Sequence, residues 1–460
     1  MKRKFIAFVG MSSLVVSGLF GLGSCGGKTD VVFLNFKPEV DENYRKIAAA
    51  YNETHADSAY NIVVSTAAQG QYDTTLKSMM GRRDAPTLFQ TNGPVGFAKW
   101  KDYCADLTST KLYTELSDQS LALKDGGKAY GVPITVEGYG IIYNKSLTDK
   151  YFALETRSTA TGANSMDDIK SFETLNKVVA DMQTLKGSIG VDGVFSATSM
   201  KEGEQWRWQT HLFNLPLTGE IGYPASTPKE FKFTYKDQYK ALFDMYIDNS
   251  TKDLNQLANV DTNASMAEFA GGKSMMVQNG NWGTSQVVGV EGSKVKSEDL
   301  KFLPIYSGIK SANLDESKQG LAIGTENYLC VNKDVDEKQQ KAAIDFAEWL
   351  FTGEGKDHVT KSAAEASGEK TDGLGFIPTY KGYTDANSPS DPLSKEVMNW
   401  MSKTGIVSTP WAFNLIPSEG VKNTLGADLL AYVNANKEQA KWDTAVTDTI
   451  AKWKSDAAAL

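Results

Sequence analysis

Strand and helix patterns alternate along the body of this chain, and this alternation limits the folds open to it. Residues 31–36 (VVFLNF) and 60–66 (YNIVVST) have the apolar, β-branched composition of buried strands, with a helix pattern between them. Another helix pattern and a short strand at residues 87–90 follow. A β-α-β-α-β order predicts an α/β fold with a mainly parallel sheet and helices on both faces.

The length of 460 residues exceeds what one hydrophobic core organises, so we expect two lobes. A second α/β set supports this division. It contains a helix pattern that starts at Ser171, a strand at residues 193–195, and a later strand and helix at residues 327–333 and 337–351. Hydrophobic content of 41% and charged content of 23% are typical of globular domains.

The N-terminus has the pattern of a bacterial lipoprotein leader. Three cations precede an apolar stretch that ends in Leu-Gly-Ser-Cys, so residues 1–24 are predicted to be a signal peptide that is removed before Cys25. Lipid (palmitate) on Cys25 and a tether over residues 25–30 would hold the body at the extracytoplasmic face of the membrane. An uncleaved transmembrane anchor over residues 5–22 is the alternative, which the interspersed Gly and Ser residues disfavour.

Composition and motifs exclude several classes of function. The chain carries a net charge of −8 and its Lys and Arg residues are scattered, so nucleic acid is not an expected partner. Cys104 and Cys330 sit in apolar contexts that favour buried free thiols over a disulfide. His55, His211 and His358 lack ligands at metal-binding spacing, so neither a metal site nor a cofactor is expected.

Five segments in order resemble the family 1 extracellular solute-binding proteins of carbohydrate ABC importers, the family of maltose-binding protein. One is YGVPITVEGYGIIYNK at residues 130–145, and another is ASMAEFAGGKSMMVQNGNW at residues 264–282, which ends in a Gly-x-Trp pattern. The others are DAPTLFQTN at residues 84–92, QQKAAIDFAEWLFTGEGKDHV at residues 339–359, and GFIP at residues 375–378.

The resemblance implies a periplasmic-binding-protein-like fold, in which two α/β lobes are joined by a hinge of chain crossings and clamp a ligand between them. Gly138 and Gly140 are expected to supply flexible crossing points beside Tyr139. By the same analogy, lobe 1 comprises residues 31–136 and 321–375, and lobe 2 comprises residues 137–320 and 376–460.

A sugar site needs aromatic platforms and planar polar side chains. The resemblance implies that Trp282 stacks on the sugar and that Glu137 contacts it, although an indole in the lobe core and a solvated carboxylate are the ordinary alternatives. Tyr139 faces the same side as Glu137 in an extended chain, where a core role is also common. Of Trp206 and Trp208, two residues apart on a predicted helix, we expect Trp206 to face the cleft.

Further candidates come from strand ends and from the C-terminal region. Asn279 and Asn281 flank a glycine next to Trp282 and could bind hydroxyls. Trp411 and Phe413 fall near the family's C-terminal aromatic platform, with simple packing as the alternative. The carboxyl ends of the first and third strands supply polar candidates, although the third-strand loop departs from the maltose-binding pattern and leaves the sugar open: Asn35, Lys37, Glu39, Gln90 and Asn92.

The resemblance therefore implies a monomeric, lipid-anchored capture protein that delivers a sugar or oligosaccharide to ABC permease subunits, without catalysis. A binding protein for a polyamine or a peptide is the alternative within the same class. A secreted glycoside hydrolase is less favoured, because no motif pairs Glu137 with a second carboxylate. A serine hydrolase is disfavoured by the lack of a G-x-S-x-G motif.

Overall fold

The computed structural model describes residues 27–68, 70–224, 226–365 and 369–460. The predicted signal peptide, the alternative anchor at residues 5–22 and Cys25 all lie outside the described residues. Among the helices in the described ranges, none has the length and apolar character that a bilayer crossing requires.

Twelve strands form two sheets in the described part of the chain. Their bounds are β1 Thr29–Asn35, β2 Tyr60–Thr66, β3 Leu88–Asn92, β4 Leu123–Asp125, β5 Lys128–Pro133, β6 Glu137–Asn144, β7 Gly193–Phe195, β8 Ser274–Gly280, β9 Leu300–Leu303, β10 Gln319–Gly324, β11 Asn327–Val331 and β12 Val407–Thr409.

Helices cover both sheets. The α-helices are α1 Asp41–Thr54, α2 Tyr72–Met79, α3 Gly93–Trp100, α4 Lys111–Thr114, α5 Lys145–Phe152, α6 Phe172–Thr184, α7 Lys186–Ile189, α8 Asn214–Ile221, α9 Lys236–Asp248, α10 Leu254–Leu257, α11 Thr262–Ala270, α12 Glu337–Phe351, α13 Lys356–Thr360, α14 Pro392–Ser402, α15 Glu419–Asn434 and α16 Gln439–Ala457. Site residues also lie on a π-helix, Arg207–Leu212, and on the 3₁₀ turns Pro38–Val40, Asn281–Gln286 and Ala412–Leu415.

The first sheet has the strand order β2-β1-β3-β11-β5-β4. β1 runs parallel to β2 and β3, as the alternating pattern predicts, whereas β11, β5 and β4 are joined by antiparallel pairing. Val31 and Phe33 of β1 are buried in one core with Tyr44 of α1 and Phe346 of α12, while Leu34 packs in a separate cluster. Helices therefore cover both faces of the sheet. Cys104 and Cys330 are free and buried here, as expected.

The second sheet has the order β12-β10-β6-β8-β7, with β9 also paired to β6. Every residue of β6 is buried, because this strand pairs with β10 at its start, with β8 in its middle and with β9 at its end. The sheet and the helices that cover it enclose the larger aromatic core, which includes Trp208, Trp442 and Trp453. The observed architecture is thus α/β with two lobes, as predicted.

Three chain crossings join the sheets, and two of them differ from the predicted boundaries. Residues 321–324 were expected in lobe 1, yet β10 is hydrogen-bonded to β6 of the second sheet. Phe376 and Tyr380 were expected in lobe 2, yet both are buried in the core of the first sheet. Because backbone pairing and apolar packing extend past the predicted ends, the crossings lie at residues 134–136, at residues 325–326, and between Tyr380 and α14.

Gly138 and Gly140 do not act as flexible crossing points. Both lie inside β6, where a Cβ at Gly138 would lie 2.7 Å from Val397 Cγ2, and one at Gly140 would lie 2.6 Å from the carbonyl oxygen of Leu303. Their lack of a side chain lets neighbouring elements approach closely, so these glycines serve packing.

Candidate functional site

A buried ion-pair cluster joins the two lobes. The Nζ atom of Lys37, in the loop after β1, lies 2.6 Å from Oε1 of Glu137 at the start of β6 and 3.5 Å from Oε1 of Glu39. Burial alone would lower the pKa of Lys37, but the charges of Glu137 and Glu39 outweigh it and raise that pKa. Burial raises the pKa of Glu39, with Lys37 opposing the shift. The predicted candidates Lys37, Glu39 and Glu137 therefore lie together.

Asn35 holds the loop that presents Lys37. Its Nδ2 donates to the carbonyl oxygen of Lys37 at 2.7 Å and to Oγ1 of Thr66 at 3.1 Å, and its Oδ1 accepts from the backbone N–H of Lys37 at 3.0 Å. Because this amide makes three hydrogen bonds, two of them to the backbone of Lys37, the structure places Asn35 as a residue that positions Lys37.

Six rings pack beside the ion-pair cluster, and we call them the ring cluster. Tyr139 stacks on His211 with ring centres 4.2 Å apart, and the His211 centre lies 5.4 Å from Trp282 and 5.7 Å from Phe413. Lys37 Nζ lies 5.7 Å from the centre of the Trp282 ring, so the two clusters adjoin. The members of the ring cluster are Tyr139, Trp206, His211, Trp282, Trp411 and Phe413.

The two tryptophans predicted on one helix have different surroundings. Trp206 is half-buried, with its ring centre 6.5 Å from that of Trp282. Trp208 is 3% exposed in the core, and its Nε1 donates to the carbonyl oxygen of Ser199 at 3.0 Å. Trp411 and Phe413 are both buried in the ring cluster.

Several buried polar atoms around these clusters have no hydrogen-bond partner in the described residues. Buried polar groups in native proteins are nearly always hydrogen-bonded, so unpartnered atoms beside a candidate site are available to a polar ligand. Gln90 illustrates it, because its Oε1 accepts from the backbone N–H of Phe36 at 2.6 Å while its Nε2 is unpartnered. The other such atoms are Asn92 Oδ1, Trp206 Nε1, His211 Nδ1, Gln278 Oε1 and Nε2, and Trp411 Nε1.

The two predicted asparagines next to Trp282 have other surroundings. Asn281 accepts from the backbone N–H of Gly138 at 3.0 Å and donates to Oγ of Ser394 at 3.0 Å, which ties the start of β6 to α14. Asn279 donates to Sδ of Met266 at 3.1 Å, so its side chain lies against α11. The structure brings neither amide against the ring cluster, and their predicted binding role stays untested.

Sequence reasoning missed His211, which lies at the centre of the ring cluster. It follows Trp206 by five residues, and only the π-helix Arg207–Leu212 brings residues at that spacing together. Burial lowers the pKa of His211, and the charges of Arg207, Lys422 and Lys37 lower it further, so the imidazole is neutral. Its unpartnered Nδ1 can then donate a hydrogen bond to a polar ligand or accept one from it, depending on the tautomer.

A small cavity remains between the lobes. It has a volume of about 20 Å³, which is room for about one water molecule. Glu39 and Phe376 of the first lobe and Trp282 and Asp391 of the second contribute to its lining, so the cavity lies at the interface of the lobes. The described residues contain no group of three or more His, Cys, Asp or Glu side chains that could hold a metal ion.

Comparison with known proteins identifies the family. A model described as bacterial extracellular solute-binding protein matches residues 46–387, about three quarters of the chain. The chain belongs to this family. The family consists of binding proteins rather than enzymes, and its extracellular character agrees with the predicted extracytoplasmic location.

Individual relatives of this solute-binding protein are known in sequence and in structure. The melibiose/raffinose/stachyose-binding protein MelE of Bacillus subtilis (strain 168) is 30% identical over 158 residues, which span 33% of this chain and 36% of MelE. A chitin oligosaccharide binding protein has a TM-score of 0.70 at 17% identity, over 94% of this chain and 100% of its own. A maltose-bound MalE3 of T. maritima has a TM-score of 0.64 at 15% identity, with coverage of 94% and 100%. The two structures show a shared fold.

Proposed function

We propose that this solute-binding protein captures a sugar or oligosaccharide between its two lobes and delivers it to the permease subunits of an ABC importer. It acts as a monomer held at the outer face of the membrane by lipid on Cys25. The observation that carries the proposal is the ring cluster with its surrounding unpartnered polar atoms, at the junction of the lobes. Aromatic faces take the C–H faces of a sugar, and the polar atoms take its hydroxyls.

Two further observations support a sugar over the other solutes. MelE, the chitin oligosaccharide binding protein and the maltose-bound MalE3 are named for sugars. A polyamine would require free carboxylates, but Glu39 and Glu137 already share Lys37.

Closure of the lobes is the proposed mechanism. A cavity of about 20 Å³ does not admit a sugar, so the lobes separate to let the ligand enter and then close on it. The closed form brings Lys37 of the first lobe to Glu137 of the second. A ligand that contacts both lobes stabilises this form, which is the one expected to dock on the permease.

A thermal-shift screen of the purified protein against mono- and oligosaccharides tests the proposal. A sugar at 100 times its dissociation constant adds about 2.7 kcal/mol to the free energy of unfolding. Small-angle scattering on the same samples would show a smaller radius with the sugar than without it, and chromatography would recover the sugar intact. Stabilisation by spermidine or a peptide and by none of the sugars would overturn the proposal, as would release of cleaved products.

A further inference from the structure

Arg207 is a buried cation whose hydrogen bonds are incomplete. Its side chain is 1% exposed, at the start of the π-helix, and Nη1 donates to Oγ of Ser265 on α11 at 3.3 Å. The other two guanidinium nitrogens, Nε and Nη2, are buried and have no partner in the described residues. A guanidinium stays charged in proteins, so two of its donor groups lack acceptors.

No carboxylate in the described ranges lies within 4 Å of the Arg207 guanidinium. Lys37 pairs with Glu137 at 2.6 Å, and the buried Lys422 pairs with Glu419 at 2.8 Å, so both neighbouring lysines have a counter-ion in contact. Glu204 favours the charged form of Arg207 from a distance, while its own Oε2 accepts from the backbone N–H of Thr262 at 3.3 Å. A buried, unpaired charge is costly, which makes Arg207 a place where an anion would bind strongly.

Arg207 adjoins the proposed sugar site. The centre of the guanidinium lies 5.2 Å from the centre of the Trp206 ring, which in turn neighbours Trp282. Nε and Nη2 lie on one edge of the planar group, and their two N–H bonds run parallel. That edge matches the two oxygens of a carboxylate in a bidentate pair.

We propose that the ligand of this protein is an acidic sugar, a uronic acid or an oligosaccharide containing one, whose carboxylate binds Nε and Nη2 of Arg207. This inference rests on the proposed function and narrows its ligand class. The sugar ring stacks in the ring cluster, and its hydroxyls reach the unpartnered polar atoms. The carboxylate supplies the counter-ion that Arg207 lacks.

Calorimetry with matched sugars tests this inference. The probes are oligouronate trimers of galacturonate, mannuronate and glucuronate, the neutral trimers of the same linkage, and the methyl esters of the acids. We expect at least one acid to bind tenfold or more tighter than both its neutral counterpart and its ester. Equal or tighter binding of the uncharged sugars would overturn the acidic-sugar inference and leave the sugar proposal intact. Failure of every probe to bind would overturn the acidic-sugar inference, and the wider saccharide screen would then decide the sugar proposal.

The variant Arg207→Gln separates recognition of the charge from a structural role. Glutamine retains a donor for Ser265 but removes the charge and the fork, so the preference for the acid should disappear while the affinity for the neutral sugar changes less than threefold. Lys201→Gln is the control, because it removes the same charge from an exposed side chain nearby in sequence; it should keep the preference. If Arg207→Gln retains the preference for the acid, or weakens both sugars equally, the inference is wrong.

Discussion

Replacing Trp282 with Ala is the most direct test of the proposed site. The indole is half-buried, and its ring centre lies 5.4 Å from that of His211 and 6.5 Å from that of Trp206. Lys37 Nζ lies 5.7 Å from the same ring. An aromatic platform at the centre of a binding surface contributes about 2 to 4 kcal/mol of binding free energy, so Trp282→Ala should weaken sugar binding by about thirtyfold to a thousandfold.

The fold should tolerate this change better than the loss of a core tryptophan. Truncation of a fully buried Trp to Ala costs about 3 to 5 kcal/mol, and the partial exposure of Trp282 reduces that to about 1 to 2 kcal/mol. Trp208→Ala is the matched control. Its ring is 3% exposed and packs against Phe243 and Tyr246. This variant should therefore lose about 3 to 5 kcal/mol of unfolding free energy, while its folded fraction should bind sugar with unchanged affinity.

Calorimetry with the sugar found in the screen measures the affinity of each variant. Denaturant unfolding measures its free energy of unfolding. A second substitution moves the ring without removing it: a Cβ at Gly280 would lie 2.1 Å from Cζ3 of Trp282, so Gly280→Ala should also weaken binding. The platform role is refuted if Trp282→Ala keeps its affinity and loses about 3 to 5 kcal/mol of stability, because Trp282 would then be a core residue.

Three further predictions concern the anchor, the ion pair and a buried acid. Cys25→Ala should release the protein from membrane fractions or block processing of the leader; a processed variant that stays bound would contradict this. Lys37→Met leaves Glu39 and Glu137 without their shared cation, so denaturant unfolding should show a loss of about 3 to 5 kcal/mol; an unchanged stability would argue against a structural role for this buried ion pair. Burial raises the pKa of Asp391 to about 6, so the folded state holds this proton more tightly than the unfolded chain. The free energy of unfolding should therefore rise by about 2 kcal/mol between pH 6 and pH 4 relative to Asp391→Asn, and parallel pH profiles would refute this.

The sequence predicts local structure well where one element carries its own pattern. Ser171 was expected to start a helix, and its Oγ accepts from the backbone N–H of Thr174 at the start of α6. The apolar residues of that pattern, Leu175, Val178 and Met182 among them, are buried in the core of the second lobe. Capping and periodicity are properties of neighbouring residues, so they can be read without knowing the fold.

Site residues that lie at strand ends or in motifs can be predicted from the sequence. Contacts between segments that are distant in the sequence cannot be predicted in this way. Lys37 and Glu137 meet from positions 100 residues apart, and each was named from its own segment. Asn281 was also named from its own segment, but the partners of its amide, Gly138 and Ser394, lie 143 and 113 residues away in the sequence. Local patterns do not contain such pairings. His211 was missed because residues on one face of an α-helix are three or four positions apart. In the π-helix, His211 instead lies beside Trp206, which is five positions earlier.

The unequal lengths of the chain crossings determine how the lobes can move. Only residues 325–326 separate β10 from β11, and only residues 134–136 separate β5 from β6. Links this short have few free torsion angles, so they permit rotation about an axis through them and prevent one lobe from sliding past the other. In a rotation, displacement grows with distance from the axis. Glu137, beside this axis, therefore moves less than residues far from it, and the lobes separate most at the end of the cleft away from the crossings.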